Sequence, residues 1–395
     1  MAEMKMKEIP EDVLIDVLSY LPVKSLMRFN CVCKAWGDLF RNPDFITKHY
    51  HNRATLGKSN ISVLVKHSDH GEDCFSFLSS TVNEDGSETI RIAESIYVPF
   101  YGNFLRNPRV MGPCNGLLCL VDYGIYGKIA LWNPAIREFK LLPWSIESSA
   151  GMGITFSLEE VGFGFDSKNN DYKVIAFVSS LDRARTVYRA ELYSLTSESW
   201  REIPSWGSIL PIEEFSFGFA LSNAYYSHGV YYWLIGGYYV DTGDWIISFD
   251  MADEVFEIMQ LPDFGVSGLT HFIEFEILDA SIIAVVCPNN PGGCFDIWVM
   301  NEPGVKRSWV KRDRIAPISG IKNPVGFWKS GELCFEDSSN QLVLYDSSTQ
   351  QVKNLPLHGA RYSSQVVNYM ESLVQINGKR GNAGEPIVRI RNRNL

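Results

Sequence analysis

The spacing of apolar residues changes once along this chain. Up to about residue 55 they recur every three or four positions. From about residue 60 they alternate in short runs divided by Gly, Asn, Asp and Pro. The first pattern reads as helices and the second as strands joined by tight turns. In the first stretch, Val13, Leu14, Val17, Leu18 and Leu21 form one apolar stripe. Glu11, Asp12 and Asp16 sit toward its N-terminal end, Pro10 suits the first turn and Pro22 stops the helix. A second short helix runs through Leu26 and Phe29, and a third around Val32, Trp36, Leu39 and Phe40. Asn42-Pro43-Asp44 opens a last turn through Phe45 and Ile46. Four short helices bury little by themselves. They are either a cap on the larger region that follows or a plug that completes its core against a partner.

Beyond residue 60 similar pairs of segments recur. Ile129–Pro134 is followed by Phe139–Pro143, Glu191–Ser194 by Trp200–Pro204, and Ile247–Asp250 by Phe256–Pro262. Asp296–Val299 is followed by Trp309–Lys311, and Leu342–Asp346 by Val352–Pro356. From Leu131 through Leu192, Ser248 and Ile297 to Leu344 the steps are 61, 56, 49 and 47 residues. A period of roughly 50 is kelch-like propeller spacing, with four strands to a unit. The first unit lacks one strand, since residues 61–94 supply Ile61–Val65, Cys74–Leu78 and Thr89–Ile92. A strand over 364–374 is left over at the other end. The expected fold is therefore a small all-α region followed by an all-β, kelch-like propeller. Its six blades would be closed by the C-terminal strand, which removes an exposed edge.

Charge and cysteine usage narrow the chemistry. The chain carries a net charge of −10, distributed as +1 over residues 1–55, −15 over 56–376 and +4 over 377–395. An acidic middle disfavours nucleic acid and steers basic proteins toward it. No apolar run is long enough to span a membrane and no signal peptide is evident, so a cytoplasmic or nuclear protein is expected. The eight cysteines form no C-x-x-C pair, and most sit in apolar runs that read as buried thiols. His67 and His70, with His49 and His51 earlier, give no zinc spacing, so no metal is assigned. A search for G-x-S-x-G, a P-loop and H-E-x-x-H finds none of them, and neither a catalytic residue nor a cofactor is assigned.

The segments Ile9–Leu14, Leu21–Leu26, Arg28-Phe29, Cys31–Trp36 and Pro43–Phe45 together resemble an F-box, with Ile9 where that family usually has Leu. Pro113–Cys119, Gly162–Asp166 with Asn170–Val174, and Ser363–Tyr369 resemble the plant F-box-associated domain. The combination is similar to the S-locus F-box proteins of self-incompatible plants. The resemblance implies an F-box over 5–52 and an F-box-associated propeller over 60–376, and the basic end, 377–395, is expected to be a disordered tail. It implies a non-catalytic, substrate-recognition subunit of a Skp–cullin–F-box ubiquitin ligase. Its partners would be a Skp-type adaptor, through it a cullin–RING scaffold, and a basic protein target such as a pistil S-ribonuclease. Pro10, Leu14, Leu18, Leu21, Pro22, Val32 and Trp36 are the implied adaptor contacts, some of which must instead be core.

In a four-strand unit the loops that leave strands two and four lie on one face. The strand order puts that face away from the F-box. Its loops carry Tyr101, Trp144, Glu147, Asp182, Trp206, Glu213, Glu214, Tyr238, Tyr239, Asp241 and Asp244. These aromatics and acids are the candidate target contacts. Three alternatives stand beside this reading: a receptor for an unrelated plant target, a binding module acting without degradation, and an enzymatic propeller.

Overall fold

The computed structural model describes residues 9–57, 61–69, 72–82, 88–97, 108–144, 156–182, 185–204, 225–235, 245–260, 271–278, 281–288, 294–301, 308–329, 332–346, 349–359 and 364–377. Four helices come first: α1 (Glu11–Ser19), α2 (Val23–Phe29), α3 (Lys34–Leu39) and α4 (Pro43–Thr55). Pro10 and Pro22 are the N-caps of α1 and α2, in extended backbone that lets each helix begin cleanly after it. α4 is the longest. Asn42 caps it by accepting a 2.8 Å bond from the Asp44 amide, and Pro43 occupies the first position, where no N–H is needed. The sequence suggests a single last turn here, because the rest of α4 (Thr47 to Thr55) is polar. What holds it is His49, fully buried, whose Nε2 lies 2.8 Å from the Leu21 carbonyl. A carbonyl partner makes Nε2–H the donor. Burial, partly offset by that bond, pushes the His49 pKa below its ordinary value, so the ring stays neutral.

The strands form six sheets. The first holds β1 (Ser62–Asp69), β2 (Glu72–Val82) and β3 (Glu88–Tyr97). The second holds β4 (Arg109–Cys114), β5 (Leu117–Asp122), β7 (Lys128–Asn133) and β8 (Glu138–Leu141). Between β5 and β7 lies the two-residue β6 (Gly124–Ile125). The third sheet holds β9 (Phe156–Asp166), β10 (Asp171–Asp182), β11 (Arg185–Ser194) and β12 (Ser199–Glu202). The fourth holds β13 (Tyr225–Ser227), β14 (Val230–Ile235), β15 (Trp245–Asp250) and β16 (Phe256–Gln260). The fifth holds β17 (His271–Leu278), β18 (Ser281–Pro288), β19 (Phe295–Met300) and β20 (Trp309–Ile315). The sixth holds β21 (Ile321–Phe327), β22 (Leu333–Asp337), β23 (Gln341–Asp346) and β24 (Gln351–His358). All of these ladders are antiparallel. The last strand, β25 (Gln365–Tyr369), pairs with β1, Ser62 opposite Tyr369 and Lys66 opposite Gln365.

The expected kelch-like propeller of six blades closed by the C-terminal strand is corrected by these pairings. The six sheets are separate and open, and none is closed into a propeller barrel. β25 makes its ladder with β1 alone, so it completes one sheet and bridges no two. The third sheet also departs from four strands, because β6 crosses from the second sheet's connection to pair with β9. Regular hairpin spacing reports how many sheets form; it does not report how one sheet meets the next. That is done by side chains. Leu64, Phe75, Leu118 and Trp132 pack between the first and second sheets. Leu131, Phe163, Val174 and Tyr193 pack between the second and third, and Phe177, Leu192, Trp233 and Phe249 between the third and fourth.

The most buried polar tie between the third and fourth sheets is an ammonium. The buried Lys173 ammonium donates to Asp166 Oδ2 at 2.6 Å, to the Met251 carbonyl at 2.8 Å and to Glu254 Oε1 at 2.8 Å. All three ammonium protons thus have acceptors, which is what a buried lysine requires. Burial opposes ionisation of Asp166, but bonds from Lys173 and Asn169 outweigh it and hold its pKa at about 2.

Candidate functional site

The four helices close around a small core of Leu18, Val23, Leu26, Phe40 and Phe45, lined further by Leu14, Ile15, Leu21, Phe29, Trp36, Leu39 and Ile46. Its aromatics run in a chain, with ring centroids 5.7 Å apart for Phe29–Trp36, 6.3 Å for Trp36–Phe40 and 5.6 Å for Phe40–Phe45. This core is not self-contained. Leu373, from the far end of the chain, is buried within it, and Ala135 and Ile136 from the β7–β8 turn pack against it.

A short strap brings Leu373 there. The sequence predicts a strand over 364–374, but the strand ends at Tyr369, and Met370–Asn377 leaves the sheet to run between helices and strands. Asn133 at the end of β7 anchors the strap. Its Nδ2 donates to the carbonyls of Ser372 (3.0 Å) and Val374 (2.8 Å), and its Oδ1 accepts from the Ala135 amide. Glu138 Oε2 accepts from the amides of Ile376 (2.7 Å) and Asn377 (3.3 Å). Ile376 inserts into the core between the second and third sheets. Gly116, at φ +78°, leaves the space the strap needs: a Cβ there would lie 2.3 Å from the Ser372 Cβ. On the helical side, the Val23 amide at the start of α2 donates to Glu371 Oε2 at 3.3 Å.

The structure sorts the seven implied adaptor contacts. Leu18 is 3% exposed and belongs to the core, with Leu14, Leu21 and Trp36 packed against it. Pro10, Pro22 and Val32 face outward, Val32 at 62% exposure. Beside them lie exposed apolar residues not among the implied contacts: Ile9 before α1, Val13 and Val17 on it and Tyr20 at its C-cap, spaced four, four and three apart, with Met27 on α2, so the single stripe expected of α1 splits into an inward and an outward face. Val17 is 55% exposed. A usable signal was present, because α1 carries apolar residues over a wider arc than one buried face needs. Leu14, Leu18 and Leu21 fill the inward face, and Val13 and Val17 lie about 100° round the helix from Leu14 and Leu18.

Of the candidate target contacts, Trp144 is described in full, and for Asp182 the backbone places it opposite Arg185 at the end of β10. Tyr101, Glu147, Trp206, Glu213, Glu214, Tyr238, Tyr239, Asp241 and Asp244 lie outside the described residues. Trp144 is 49% exposed and sits in an aromatic triad, 5.9 Å from Tyr126 and 5.8 Å from Phe156, with Tyr126 and Phe156 5.2 Å apart. Beneath the triad, Leu142, Leu158, Val178 and Trp200 help to line a cavity of about 30 Å³. The strands fix where this lies. The β7–β8 turn touches the helices, whereas Tyr126 precedes β7 and Trp144 follows β8, so the triad is at the other end of the second sheet. Strands of this length put about 20 Å between the two ends.

Among the described residues no group of three or more His, Cys, Asp or Glu is placed to hold a metal ion, and no helix is long and apolar enough to cross a membrane. His67 Nε2 is instead within 2.8 Å of Ser76 Oγ, in a buried chain that continues to Ser95.

Residues 6–52 match the family described as F-box-like, and residues 73–376 match the F-box associated beta propeller domain. The chain is 27% identical to F-box protein At3g07870 of Arabidopsis thaliana, over 90% of this chain and 88% of that one. It is 28% identical to the F-box/kelch-repeat protein At3g23880 of the same plant, over 86% and 88%. Among solved structures, an oligogalacturonate lyase from Vibrio parahaemolyticus aligns with a TM-score of 0.41 and 8% identity over 76% of this chain and 85% of that one, a likeness too slight to carry an argument.

Proposed function

The chain belongs to the family of F-box proteins with an F-box associated beta propeller domain, and on that footing we propose that it is the substrate-recognition subunit of a Skp–cullin–F-box ubiquitin ligase. In this reading the helices hold the Skp-type adaptor, the sheets hold the target, and ubiquitin transfer belongs to other subunits, so no catalytic step is assigned to this chain. The observation that carries it is the row Ile9, Val13 and Val17, with Pro10 and Val32. These are large apolar groups facing outward from helices that already have a core. Solvent-facing apolar groups in a row are best accounted for by a partner that covers them.

The test is co-purification with a Skp-type adaptor. Val17→Asp combined with Val32→Asp is expected to abolish it while leaving the circular dichroism and melting curve unchanged. Retained binding would place the adaptor elsewhere. These exposed positions serve better than Leu18 or Trp36, whose substitution disturbs the core.

For the target, the acidic middle region supports a basic protein, and the end of the second sheet that carries Trp144 is the surface turned from the helices. The finer reading rests on the resemblance to S-locus F-box proteins and makes the target a secreted pistil ribonuclease met in the pollen cytoplasm. A reconstituted ubiquitination assay with candidate basic ribonucleases tests it. Modification of none of them refutes the ribonuclease reading. A partner that binds yet is never ubiquitinated supports a module acting without degradation.

A further inference from the structure

Seven cysteines are described, and their surroundings divide them sharply. Cys74, Cys114, Cys119 and Cys334 are buried and Cys294 is half-buried, but Cys31 and Cys33 are exposed. Burial pushes the thiols of Cys114, Cys119 and Cys334 well up, which keeps them protonated and inert. The two exposed thiols fall together, in the turn between α2 and α3, on either side of the outward-facing Val32. Cys33 is the N-cap residue of α3, yet its side chain makes no capping bond. Residues two apart lie at most about 7 Å apart at Cα, which puts the pair at the reach of a disulfide. Arg28 and Lys34, both exposed, bracket the turn with positive charge that attracts an anionic disulfide such as oxidised glutathione.

We infer that Cys31 and Cys33 are a thiol-modification site for low-molecular-weight disulfides, and that its oxidation blocks the adaptor contact at Val32. The regulatory half rests on the reading of the helices as the adaptor-binding element. In the first step one cysteine thiolate attacks a sulfur of oxidised glutathione. The S–S bond breaks, glutathione thiolate leaves and a mixed disulfide remains. In the second step the other cysteine attacks the protein-side sulfur and expels a second glutathione thiolate. The protein loses two electrons and two protons, and one oxidised glutathione becomes two reduced ones. Either product alters the turn that presents Val32, by a bulky anionic adduct or by a tight ring. An exposed disulfide of this kind is readily reduced, so the change reverses.

The experiment uses the full chain, purified reduced. It is treated with oxidised glutathione and digested with trypsin. Cleavage after Arg28 and Lys34 isolates both thiols in the single peptide Phe29–Lys34. Modification is expected in this peptide first, as a glutathionyl adduct or a loss of two hydrogens. A peptide that stays reduced, or reaction first at Cys294 or a buried thiol, overturns the site. In parallel, binding to a purified Skp-type adaptor is expected to weaken at least about tenfold on oxidation, the loss typical of a disturbed contact centre, and to return with dithiothreitol. The double variant Cys31→Ser, Cys33→Ser is expected to bind like the reduced protein with or without oxidant, and each single variant to form the adduct without the ring. Unchanged binding by the oxidised protein, or loss of binding by the oxidised double variant, overturns the regulatory role. If the reduced chain does not bind the adaptor at all, it is the family-based reading that fails, and the peptide result still stands or falls by itself.

Discussion

The helices and the sheets place their apolar residues in opposite ways. β5 buries Leu117 through Val121 without a break, between neighbouring sheets on both faces. α1 turns Leu14 and Leu18 inward but leaves Val13 and Val17, equally apolar, in solvent. A difference shows in ion pairs as well: the sheets bury Lys173 and Asp166 in a saturated network, whereas a pair on the helices, Lys48–Asp16 at 3.1 Å, is exposed on both sides. A region that buries its apolar groups and pairs a buried charge this fully is organised for its own stability. A region that leaves apolar groups uncovered is organised for something outside itself.

The contrast can be broken hardest at Lys173. Lys173→Met strands the buried Asp166 beside Glu254 and is expected to lower stability by about 3–5 kcal/mol, read by urea unfolding, while adaptor binding by the folded fraction is unchanged. Acid acts on the same tie more mildly. The Asp166 pKa is lowered on folding, so its contribution is complete above the unfolded value of about 3.9 and is lost as pH falls through about 2. Stability is expected to drop by about 2 kcal/mol over that window from this group, and Asp166→Asn should flatten that part of the curve. At the junction, Asn133→Ala removes the donor to Ser372 and Val374. About 1–2 kcal/mol is expected to go, with faster proteolysis at the strap than within the sheets. At the small end, Val17→Asp is expected to change stability by less than about 0.5 kcal/mol and, if the proposed contact holds, to weaken adaptor co-purification. A large destabilisation there would make α1's outer face part of a core and remove the contrast.

Much of this was readable beforehand where a residue's neighbours are local. The β15–β16 hairpin, with Phe249 opposite Phe256, follows from alternation and a tight turn. So does the start of α1 after Pro10. Other features depend on distant partners. The polar run Thr47–Thr55 gives little periodic sign of a helix, because the groove that receives His49 is built by Leu21. The strand pattern of Val366–Val374 gives no warning that the chain peels away after Tyr369, since the reason is Asn133, more than two hundred residues earlier. The crossing of β6 onto β9 was likewise unreadable in two residues, and the same limit applies to how the six sheets meet.

Leu373 also gives the order of synthesis a meaning. The helices leave the ribosome before the sheets, but one wall of their core is made only when the chain has been built through Leu373. A chain interrupted earlier, by a premature stop or a stalled ribosome, carries helices with an open seam where Leu373 belongs. Completion of the helical core is thereby tied to translation of all six sheets, and a fragment that carries the helices without them lacks part of the core that holds the helices together.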